Sequence, residues 1–167
     1  MFDIVLADPP WRYNSNTGKE GLAESHYRIM SLEQIKTIPV SRWVKSNSAL
    51  FLWTTCPKIN EAVEVIKSWG FEYKTVAFTW IKLKAGKPFL GLGNYTRSCT
   101  ELCLLAMKGK MTVLSHSIPQ IVISPLQEHS RKPDIVRERI EQLFGDCYRL
   151  ELFGRYPRQG WILAGEL

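Results

Sequence analysis

Apolar and polar positions along the chain follow two alternating patterns. Seven segments are apolar runs or are rich in β-branched and aromatic residues, which predicts strands, several of them covered on both faces. They span residues 2–7, 49–54, 73–80, 101–107, 120–124, 148–153 and 161–164. Because predicted helices alternate with these strands, we expect an α/β fold with a single mixed, mostly parallel sheet of seven strands flanked by helices. We expect the antiparallel strands late in the order.

Three segments carry helix signals. Residues 31–38 begin with Ser31 as a cap and Gln34 at the capping-box position, and Pro39 ends the segment. Residues 58–69 have one apolar stripe followed by a glycine, formed by Ile59, Ala62, Val63, Ile66 and Trp69 before Gly70. In residues 132–144, a proline suited to the first helical position precedes Asp134 and a second stripe, made of Val136, Ile140, Leu143 and Phe144.

The first predicted strand stops abruptly at Asp8-Pro9-Pro10-Trp11. Prolines cannot donate to a sheet ladder, so the chain must leave the sheet and present Asp8 at the carboxyl end of a strand, where open α/β sheets bind ligands. Carbonyls without competing amide hydrogens beside an aromatic ring suit a flat ligand that bears an amino group. The alternative is an ordinary Asp-Pro turn with Trp11 as a core plug.

Composition narrows the class of protein. The 167 residues are 45% hydrophobic and 23% charged, which is ordinary for one globular domain. No apolar run approaches the roughly 20 residues of a membrane span, and the N-terminus lacks the features of a signal peptide, so we expect a cytoplasmic protein.

The four cysteines have no CxxC spacing, which predicts reduced, mostly buried thiols, and the three histidines are scattered, so no metal site is expected. Phosphate-loop, GxGxxG, HExxH and GxSxG motifs do not occur.

A net charge of +6 is a modest indication of a polyanionic partner. The basic residues include a group in residues 82–97, which we predict to be a long irregular loop with three glycines and no acid. Its lysines and arginine, interleaved with Phe89 and Tyr95, suit a single strand or a flipped base through phosphate contact and stacking. A solubilising surface loop is the alternative.

Six local motifs in a fixed order resemble the adenine-N6 methyltransferase family of the MT-A70 type over essentially the whole chain. After Asp8-Pro9-Pro10-Trp11 they are His26-Tyr27-Arg28-Ile29-Met30, Leu50-Phe51-Leu52-Trp53, Gly70-Phe71 leading to Trp80-Ile81-Lys82, Arg97 through Glu101 to Lys108-Gly109, and His129 to Asp134 followed by Glu151-Leu152-Phe153-Gly154-Arg155 and Gly160-Trp161. The chain looks closest to the prokaryotic and phage DNA-methylating members. The Gly165-Glu166-Leu167 ending departs from the family, which usually has an asparagine there.

This resemblance implies a Rossmann-like fold, S-adenosyl-L-methionine as cofactor and direct in-line transfer of a methyl group to the N6 amine of adenine in DNA. The implied catalytic residues are Asp8, Pro9, Pro10 and Trp11. The implied cofactor-binding residues are Asp8, Lys132, Glu151, Phe153, Arg155 and Glu166. Those implied to bind the substrate are Trp11, Tyr13, Asn14, His26, Tyr27, Lys84, Lys87, Tyr95, Arg97 and Glu101. No metal is implied, and we expect one methyltransferase domain over residues 1–167 without a separate target-recognition domain.

Several alternatives stay open. From the residues alone, Glu151 could face outward on its strand, Lys132 could simply precede a helix, Arg155 could be a surface charge and Glu101 could pair with a nearby lysine. The substrate could be RNA, and the chain could be a non-catalytic nucleic-acid-binding partner subunit. Related motifs for cytosine N4 or a protein amide normally carry Ser or Asn at position 8. We expect nucleic acid as partner, DNA before RNA, and a homodimer or a second subunit as further options, in a bacterial or phage-infected cell.

Overall fold

The computed structural model describes residues 1–12, 29–93, 95–128 and 131–165. In these residues eleven regular elements follow one another: β1 (Phe2–Ala7), α1 (Leu32–Lys36), β2 (Val44–Thr54), α2 (Ile59–Ser68), β3 (Glu72–Lys84), β4 (Lys87–Pro88), β5 (Thr100–Lys108), β6 (Ile121–Pro125), α3 (Asp134–Phe144), β7 (Arg149–Leu152) and β8 (Trp161–Ala164). Short 3₁₀ turns at Val40–Arg42 and Cys56–Lys58 precede β2 and α2.

The described strands form one mixed sheet in the order β4-β3-β5-β2-β1-β7-β8, with β6 paired to β3. The parallel pairs are β1 with β2, β1 with β7, β7 with β8 and β3 with β6. Strand β5 runs antiparallel to both β2 and β3, so the remaining long strands all point in one direction. The mixed, mostly parallel sheet is confirmed. The sheet has eight strands instead of seven, because β4 adds a two-residue strand, and the long antiparallel strand lies mid-chain instead of late.

The prediction of an irregular loop over residues 82–97 is wrong for its first residues. Strand β3 continues to Lys84, and Lys84 pairs antiparallel with Lys87 in β4. Between them Ala85 and Gly86 have φ of 50° and 73°. Two positive φ values in a two-residue loop are typical of the tight turn that matches the right-handed twist of paired strands. An Ala-Gly turn is a weak sequence signal, and the hairpin therefore escaped prediction.

The helices follow their predicted caps closely. Ser31 and Gln34 form the complete capping box of α1, and Gly70 ends the α2 region with φ of 82°. Of the predicted α2 stripe, Ala62, Ile66 and Trp69 are buried as expected. Val65 is buried in addition, and Ile59 is exposed. Helix α3 begins at Asp134, slightly later than predicted, because Pro133 is its N-cap instead of its first helical residue.

Two hydrophobic clusters pack on opposite faces of the sheet. Val5 and Ala7 of β1 join the cluster under α1 and α2, whereas Ile4 and Leu6 join the cluster under α3. This alternation follows from the two-residue repeat of a strand and confirms that the central strands are covered on both faces. Asp8 comes two positions after Leu6, and side chains two positions apart in a strand point to the same face. Asp8 therefore lies on the face of the sheet that α3 covers, together with Ile4 and Leu6.

The four cysteines are free, as predicted, but the prediction that most are buried is wrong. Only Cys103 is buried, Cys56 is exposed, and Cys99 and Cys147 are intermediate. Among the described residues, no helix is both long and apolar enough to cross a membrane.

Candidate functional site

The carboxyl edge of the sheet assembles the site from distant parts of the chain. Strands β1, β2 and β7 all end at this edge because they are parallel. Strand β5 is antiparallel and therefore begins there, so that Glu101 at its start lies just past Thr54 at the end of β2. The segment before α3 brings Lys132 to the same place. The edge thus holds side chains from the beginning, middle and end of the sequence.

The Pro9-Pro10-Trp11 turn is fixed by three hydrogen bonds. The Pro9 carbonyl accepts from the Trp11 amide at 2.8 Å, and the Pro10 carbonyl accepts from the Met30 amide at 3.2 Å. The prediction that the proline carbonyls have no amide partner was therefore wrong. Each oxygen still has a second lone pair that can accept another hydrogen bond. The Trp11 indole is buried, belongs to the cluster under α1 and α2, and donates to the Trp53 carbonyl at 3.0 Å. This burial supports the core-plug interpretation of Trp11, which anchors the turn.

Four charged side chains form a chain of contacts on the α3 face, which we call the charge chain: Asp8, Lys132, Glu101 and Lys82. The Lys132 ammonium lies 2.6 Å from Asp8 Oδ2 and 3.2 Å from Glu101 Oε2. The other oxygen of Glu101 accepts a hydrogen bond from Lys82. The side chains of Lys132, Glu101 and Lys82 are 16%, 13% and 19% exposed, so these charges are largely withdrawn from water.

Burial and neighbouring charges together set the pKa values of Lys132, Glu101 and Asp8. Burial alone would lower the pKa of Lys132, but the carboxylates of Asp8 and Glu101 outweigh it and raise that pKa above its ordinary value. Burial likewise opposes ionisation of Glu101, yet Lys132 and Lys82 together hold the pKa of Glu101 below its ordinary value. For Asp8, burial raises the pKa, Lys132 opposes this and Glu101 adds to it, so the pKa of Asp8 stays raised. Burial therefore outweighs the neighbouring cation at Asp8, whereas the two lysines outweigh burial at Glu101.

A second network lies beside the charge chain and centres on Arg137, a buried cation of α3 that is 6% exposed. Its guanidinium donates to Glu151 Oε2 at 2.9 Å, to the Tyr156 carbonyl at 2.8 Å and to Asp134. Arg131 donates to the other Asp134 oxygen at 2.5 Å and stacks over the Tyr156 ring at 4.3 Å. Burial raises the pKa of Glu151 despite Arg137. Glu151 is thus turned inward, and the outward-facing alternative is wrong.

The two networks border one cleft at the carboxyl edge. It is lined by Leu6, Asp8, Trp53, Arg131, Lys132, Pro133, Val136, Arg137, Glu151, Phe153, Gly154, Arg155 and Tyr156. Phe153 has φ of 62°, a left-handed conformation that is costly for an aromatic residue and tends to occur at functional sites. A Cβ on Gly154 would come within 2.8 Å of Glu151 Cγ and 2.3 Å of Leu163 Cδ1, so a larger residue would displace one or both of these side chains.

Most of the residues predicted to hold the cofactor converge on this cleft, namely Asp8, Lys132, Glu151, Phe153 and Arg155. Glu101 joins them through Lys132, and its predicted alternative, pairing with a lysine, is also confirmed. Arg155 lines the cleft. It is also exposed, which agrees with the alternative prediction that it is a surface charge. Five further predicted residues lie outside the described part of the chain: Tyr13, Asn14, His26, Tyr27 and Glu166.

The predicted basic substrate contacts lie apart from the cleft lining. Lys84 and Lys87 pair across the β3–β4 hairpin, and both are exposed. Tyr95 is fully exposed, and Arg97 donates to the backbone carbonyls of Leu90 and Gly91, which braces the following loop. Because β3 is parallel to β1 in the sheet, this hairpin projects from the same edge as Asp8.

Sequence reasoning missed Arg137, Lys82 and Trp53. Arg137 directly follows the apolar Val136 and lies three residues after Asp134, a spacing that predicts an ion pair within a helix. Lys82 was placed in a basic loop, but it belongs to β3 and faces Glu101. Trp53 was given as part of a buried strand and of a family motif but not as a site residue, yet its indole lies 5.7 Å beneath the Lys132 ammonium. Among the described residues, no group of His, Cys, Asp and Glu could hold a metal ion.

Comparison with known proteins agrees with this arrangement. The family model described as MT-A70 matches residues 2–167. The chain belongs to the MT-A70 family. MT-A70 proteins are adenine-N6 methyltransferases that use S-adenosylmethionine, and the mixed α/β sheet is the methyltransferase fold of this family.

Individual MT-A70 relatives come from bacteria and eukaryotes. The Type II methyltransferase M.MunI of Mycoplasma sp is 32% identical over 96% of this chain and 75% of its own length. The N(6)-adenosine-methyltransferase MT-A70-like protein of Arabidopsis thaliana is 24% identical over 98% of this chain and 23% of its own length. The human N(6)-adenosine-methyltransferase catalytic subunit METTL3 is 26% identical over 98% of this chain and 28% of its own length. The chain therefore spans three quarters of the bacterial relative and about a quarter of these eukaryotic ones.

Proposed function

We propose that this MT-A70 protein transfers a methyl group from S-adenosylmethionine to the N6 amine of adenine in DNA, by direct in-line displacement. The observation that carries the proposal is the position of Asp8. Its carboxylate stands at the carboxyl end of β1, is held by Lys132 at 2.6 Å and borders the cleft with Glu151 and Phe153. A hydrogen-bond acceptor for an amine thus lies next to a cleft that suits a nucleoside.

The chemistry of the cleft fits the cofactor. S-adenosylmethionine carries an ammonium, a carboxylate, ribose hydroxyls and an adenine, and it supplies the electrophilic sulfonium methyl. Asp8 offers a carboxylate to an ammonium, Lys132 a cation to a carboxylate, and Glu151 an acceptor to hydroxyls. Phe153 offers an aromatic ring, and Gly154 leaves the space beside Glu151 that a side chain would fill. We assign these residues and Arg155 to cofactor binding.

Asp8 and Pro9 provide the acceptors for the target amine. An exocyclic adenine amine is a poor nucleophile because its lone pair is delocalised into the ring. Hydrogen bonds from its two N–H groups to the Asp8 carboxylate and the Pro9 carbonyl would favour a pyramidal nitrogen whose lone pair is directed at the methyl group. The raised pKa of Asp8 makes its carboxylate a strong acceptor, and Pro10 and Trp11 keep the turn rigid.

A base inside a duplex cannot reach this cleft, so the target adenine must be flipped out or single-stranded. The hairpin and loop after β3 offer contacts for the surrounding polymer. Lys84 and Lys87 are exposed cations suited to phosphates, and the fully exposed Tyr95 is suited to stacking on a base. We propose that Arg97 supports this surface by bracing the loop at Leu90 and Gly91.

DNA is proposed ahead of RNA because the chain is more similar to the Type II methyltransferase M.MunI than to the N(6)-adenosine-methyltransferases. The identities are 32% and 24–27%, and M.MunI is matched over 75% of its length whereas METTL3 is matched over 28%. The eukaryotic names specify adenosine, a ribonucleoside, and they keep an RNA substrate as the second candidate. A non-catalytic subunit would have no physical need for the complete charge chain.

We further propose that residues 1–167 act as one methyltransferase unit in the bacterial cytoplasm. Target selection would then come from the segments 14–26 and 82–97, or from a second copy or partner subunit that adds surface. These options differ in stoichiometry and can be separated by measuring the mass of the complex with nucleic acid.

The decisive experiment supplies labelled S-adenosylmethionine with DNA and RNA, followed by nucleoside analysis of each polymer. We expect N6-methyladenine in DNA with the wild-type protein and none with Asp8→Ala. Asp146→Ala, which removes an exposed acid far from the cleft, serves as the matched control and should retain activity. Cofactor binding without N6-methyladenine in either polymer would contradict the proposal, and label in RNA alone would replace DNA by RNA.

A further inference from the structure

We infer that Lys82 is a positioning residue of the reaction centre: its ion pair with Glu101 holds the carboxylate that shares the Lys132 ammonium with Asp8. This inference rests on the proposed function, which places Asp8 and Lys132 at the site of methyl transfer. Lys82 touches neither of these two residues in the described contacts and would act through Glu101 alone.

The two oxygens of Glu101 are divided between two lysines. Lys82 donates to Oε1, whereas the Lys132 ammonium lies 3.2 Å from Oε2. A carboxylate held at both oxygens has a defined orientation, which a single ion pair would leave free to rotate. Glu101 in turn gives Lys132 a second partner opposite Asp8, so that the ammonium is held between two carboxylates.

Within the charge chain Lys82 supplies the second positive charge, and Arg155 acts on Asp8 from outside it. Asp8, Lys132 and Glu101 together carry one negative charge when ionised, and Lys82 brings the set to zero. The groups that face Glu101 are Lys82 from β3, Lys132 from the segment before α3 and Asp8 beyond β1. Removing one member of a buried set leaves an uncompensated charge, which is costly. Without Lys82, the pKa of Glu101 would rise, and a protonated Glu101 would no longer offer Lys132 a negative charge.

The surroundings keep Lys82 in place. Its ammonium lies 5.3 Å from the centre of the Trp80 ring, as that of Lys132 lies 5.7 Å from the Trp53 ring, and the two indoles are in edge contact. The backbone of Lys82 donates to Cys99 at 2.9 Å on one side and pairs with Ser124 of β6 on the other. Neighbours on both edges therefore fix the position from which the lysine reaches Glu101.

Lys74, on the same strand, is the natural comparison. It forms an ion pair with Glu72 at 2.8 Å, but the two side chains are 42% and 77% exposed. A pair in water contributes little and orients nothing at the cleft. Lys82 and Lys74 thus differ in burial and location while sharing charge, strand and type of partner.

The test compares Lys82→Met, Lys82→Arg and Lys74→Met in full-length protein, with methyl transfer measured from pH 5 to pH 9. Lys82 affects the acid limb of the rate through protonation of Glu101, to which the protonation of Asp8 is coupled. We expect Lys82→Met to move it upward by roughly one pH unit, which lowers the rate by about threefold at most at pH 5, because the pKa of Glu101 starts below 4.5, and leaves the rate unchanged at pH 9. Lys82→Arg should restore the wild-type limb, and Lys74→Met should leave it unchanged. An unmoved limb in Lys82→Met, or an equal shift in Lys74→Met, overturns the inference.

A second readout separates this inference from the proposed function. If the wild-type protein methylates no polymer, the proposed function fails, and ¹³C-detected NMR titration of the Glu101 carboxyl then decides the role of Lys82. Lys82→Met must raise the pKa of Glu101 while Lys74→Met does not, and an unchanged Glu101 pKa overturns the inference. If circular dichroism shows that Lys82→Met is unfolded, Lys82→Gln takes its place, because it removes the charge and keeps an N–H donor.

Discussion

The Lys132 ammonium lies 2.6 Å from the Asp8 carboxylate, although 124 positions separate the two residues in the chain. Asp8 follows the first strand and Lys132 precedes the last helix, and the parallel order of β1 and β7 brings these ends together. The contact joins the predicted catalytic motif to the predicted cofactor motif. Its consequences for binding, stability and pH dependence can be measured.

Lys132→Met should weaken binding of S-adenosylmethionine by at least about tenfold, because it removes the cation assigned to the cofactor carboxylate. It should also lower the free energy of unfolding by roughly 3 kcal/mol, since Asp8 and Glu101 lose their shared partner. Calorimetric titration and urea unfolding at pH 7 measure the two effects. Lys67→Met, which removes an exposed lysine of α2, is the control, and equal effects in both variants would contradict the assignment.

Arg137→Met should lower the free energy of unfolding by roughly 3 kcal/mol, because Asp134 and Glu151 would lose the buried guanidinium between them. Arg137→Lys should recover only part of this, since an ammonium cannot reproduce the planar fork that also reaches the Tyr156 carbonyl. Urea unfolding measures both. The control substitution is Arg42→Met, because Arg42 is exposed. If Arg137→Lys recovered the full free energy of unfolding, the positive charge alone would account for the stabilisation.

Gly154→Ala should weaken cofactor binding about tenfold or more while the protein stays folded. The new methyl group would meet Glu151 Cγ at 2.8 Å and push the carboxylate out of position. Gly165→Ala is the control, because its nearest contact would be 3.6 Å from the Gly154 carbonyl, an ordinary distance. Calorimetry gives the affinity and circular dichroism the fold. Unchanged affinity in Gly154→Ala would remove Glu151 from the cofactor site.

Neutralising Lys84 and Lys87 together should weaken binding to DNA and reduce the slope of log K against log salt by roughly 2. Both ammonium groups are exposed on the hairpin that projects from the edge of Asp8, so cofactor affinity should not change. Fluorescence anisotropy over a range of salt concentrations measures the slope. The exposed pair Lys67 and Lys74, neutralised in the same way, is the control. An unchanged slope would mean that Lys84 and Lys87 do not contact DNA phosphates.

Glu141 should make stability depend on pH in the acid range. Hydrogen bonds from Arg158 lower its pKa, burial opposes them, and the Trp161 indole adds to the lowering. A carboxyl whose pKa is lower in the folded state stabilises fully above its unfolded value, here ordinarily 4.5, and loses this as pH falls through the folded value. Glu141→Gln should therefore destabilise the protein at pH 7 and much less at pH 3.

Urea unfolding at both pH values tests this sign. Glu138→Gln is the matched control, because Glu138 lies 3.7 Å from the same Arg158 but is 45% exposed. Its effect should be smaller at pH 7. A Glu141→Gln effect that grows toward pH 3 would contradict the lowered pKa.

Local physical chemistry explains why much of the fold was predictable. The capping box at Ser31 and Gln34 is a short-range hydrogen-bond pattern, and the run from Ala49 to Thr54 is apolar at nearly every position. Such signals depend on adjacent residues only. The hairpin at Ala85 and Gly86 and the early start of β2 at Val44 depend on pairing with distant strands, and they were missed for that reason.

The sequence by itself determined the elements, the Asp8-Pro9-Pro10-Trp11 strand end and the family resemblance, because these rest on local patterns and on the order of motifs. Only the tertiary structure decided which charges share which partners. Lys82, Glu101 and Arg137 acquired their neighbours when an antiparallel β5 and the packing of α3 brought separate segments to one edge. The two lysines then hold the pKa of Glu101 below its ordinary value against burial, because the cost of a buried charge depends on the partners that surround it in space.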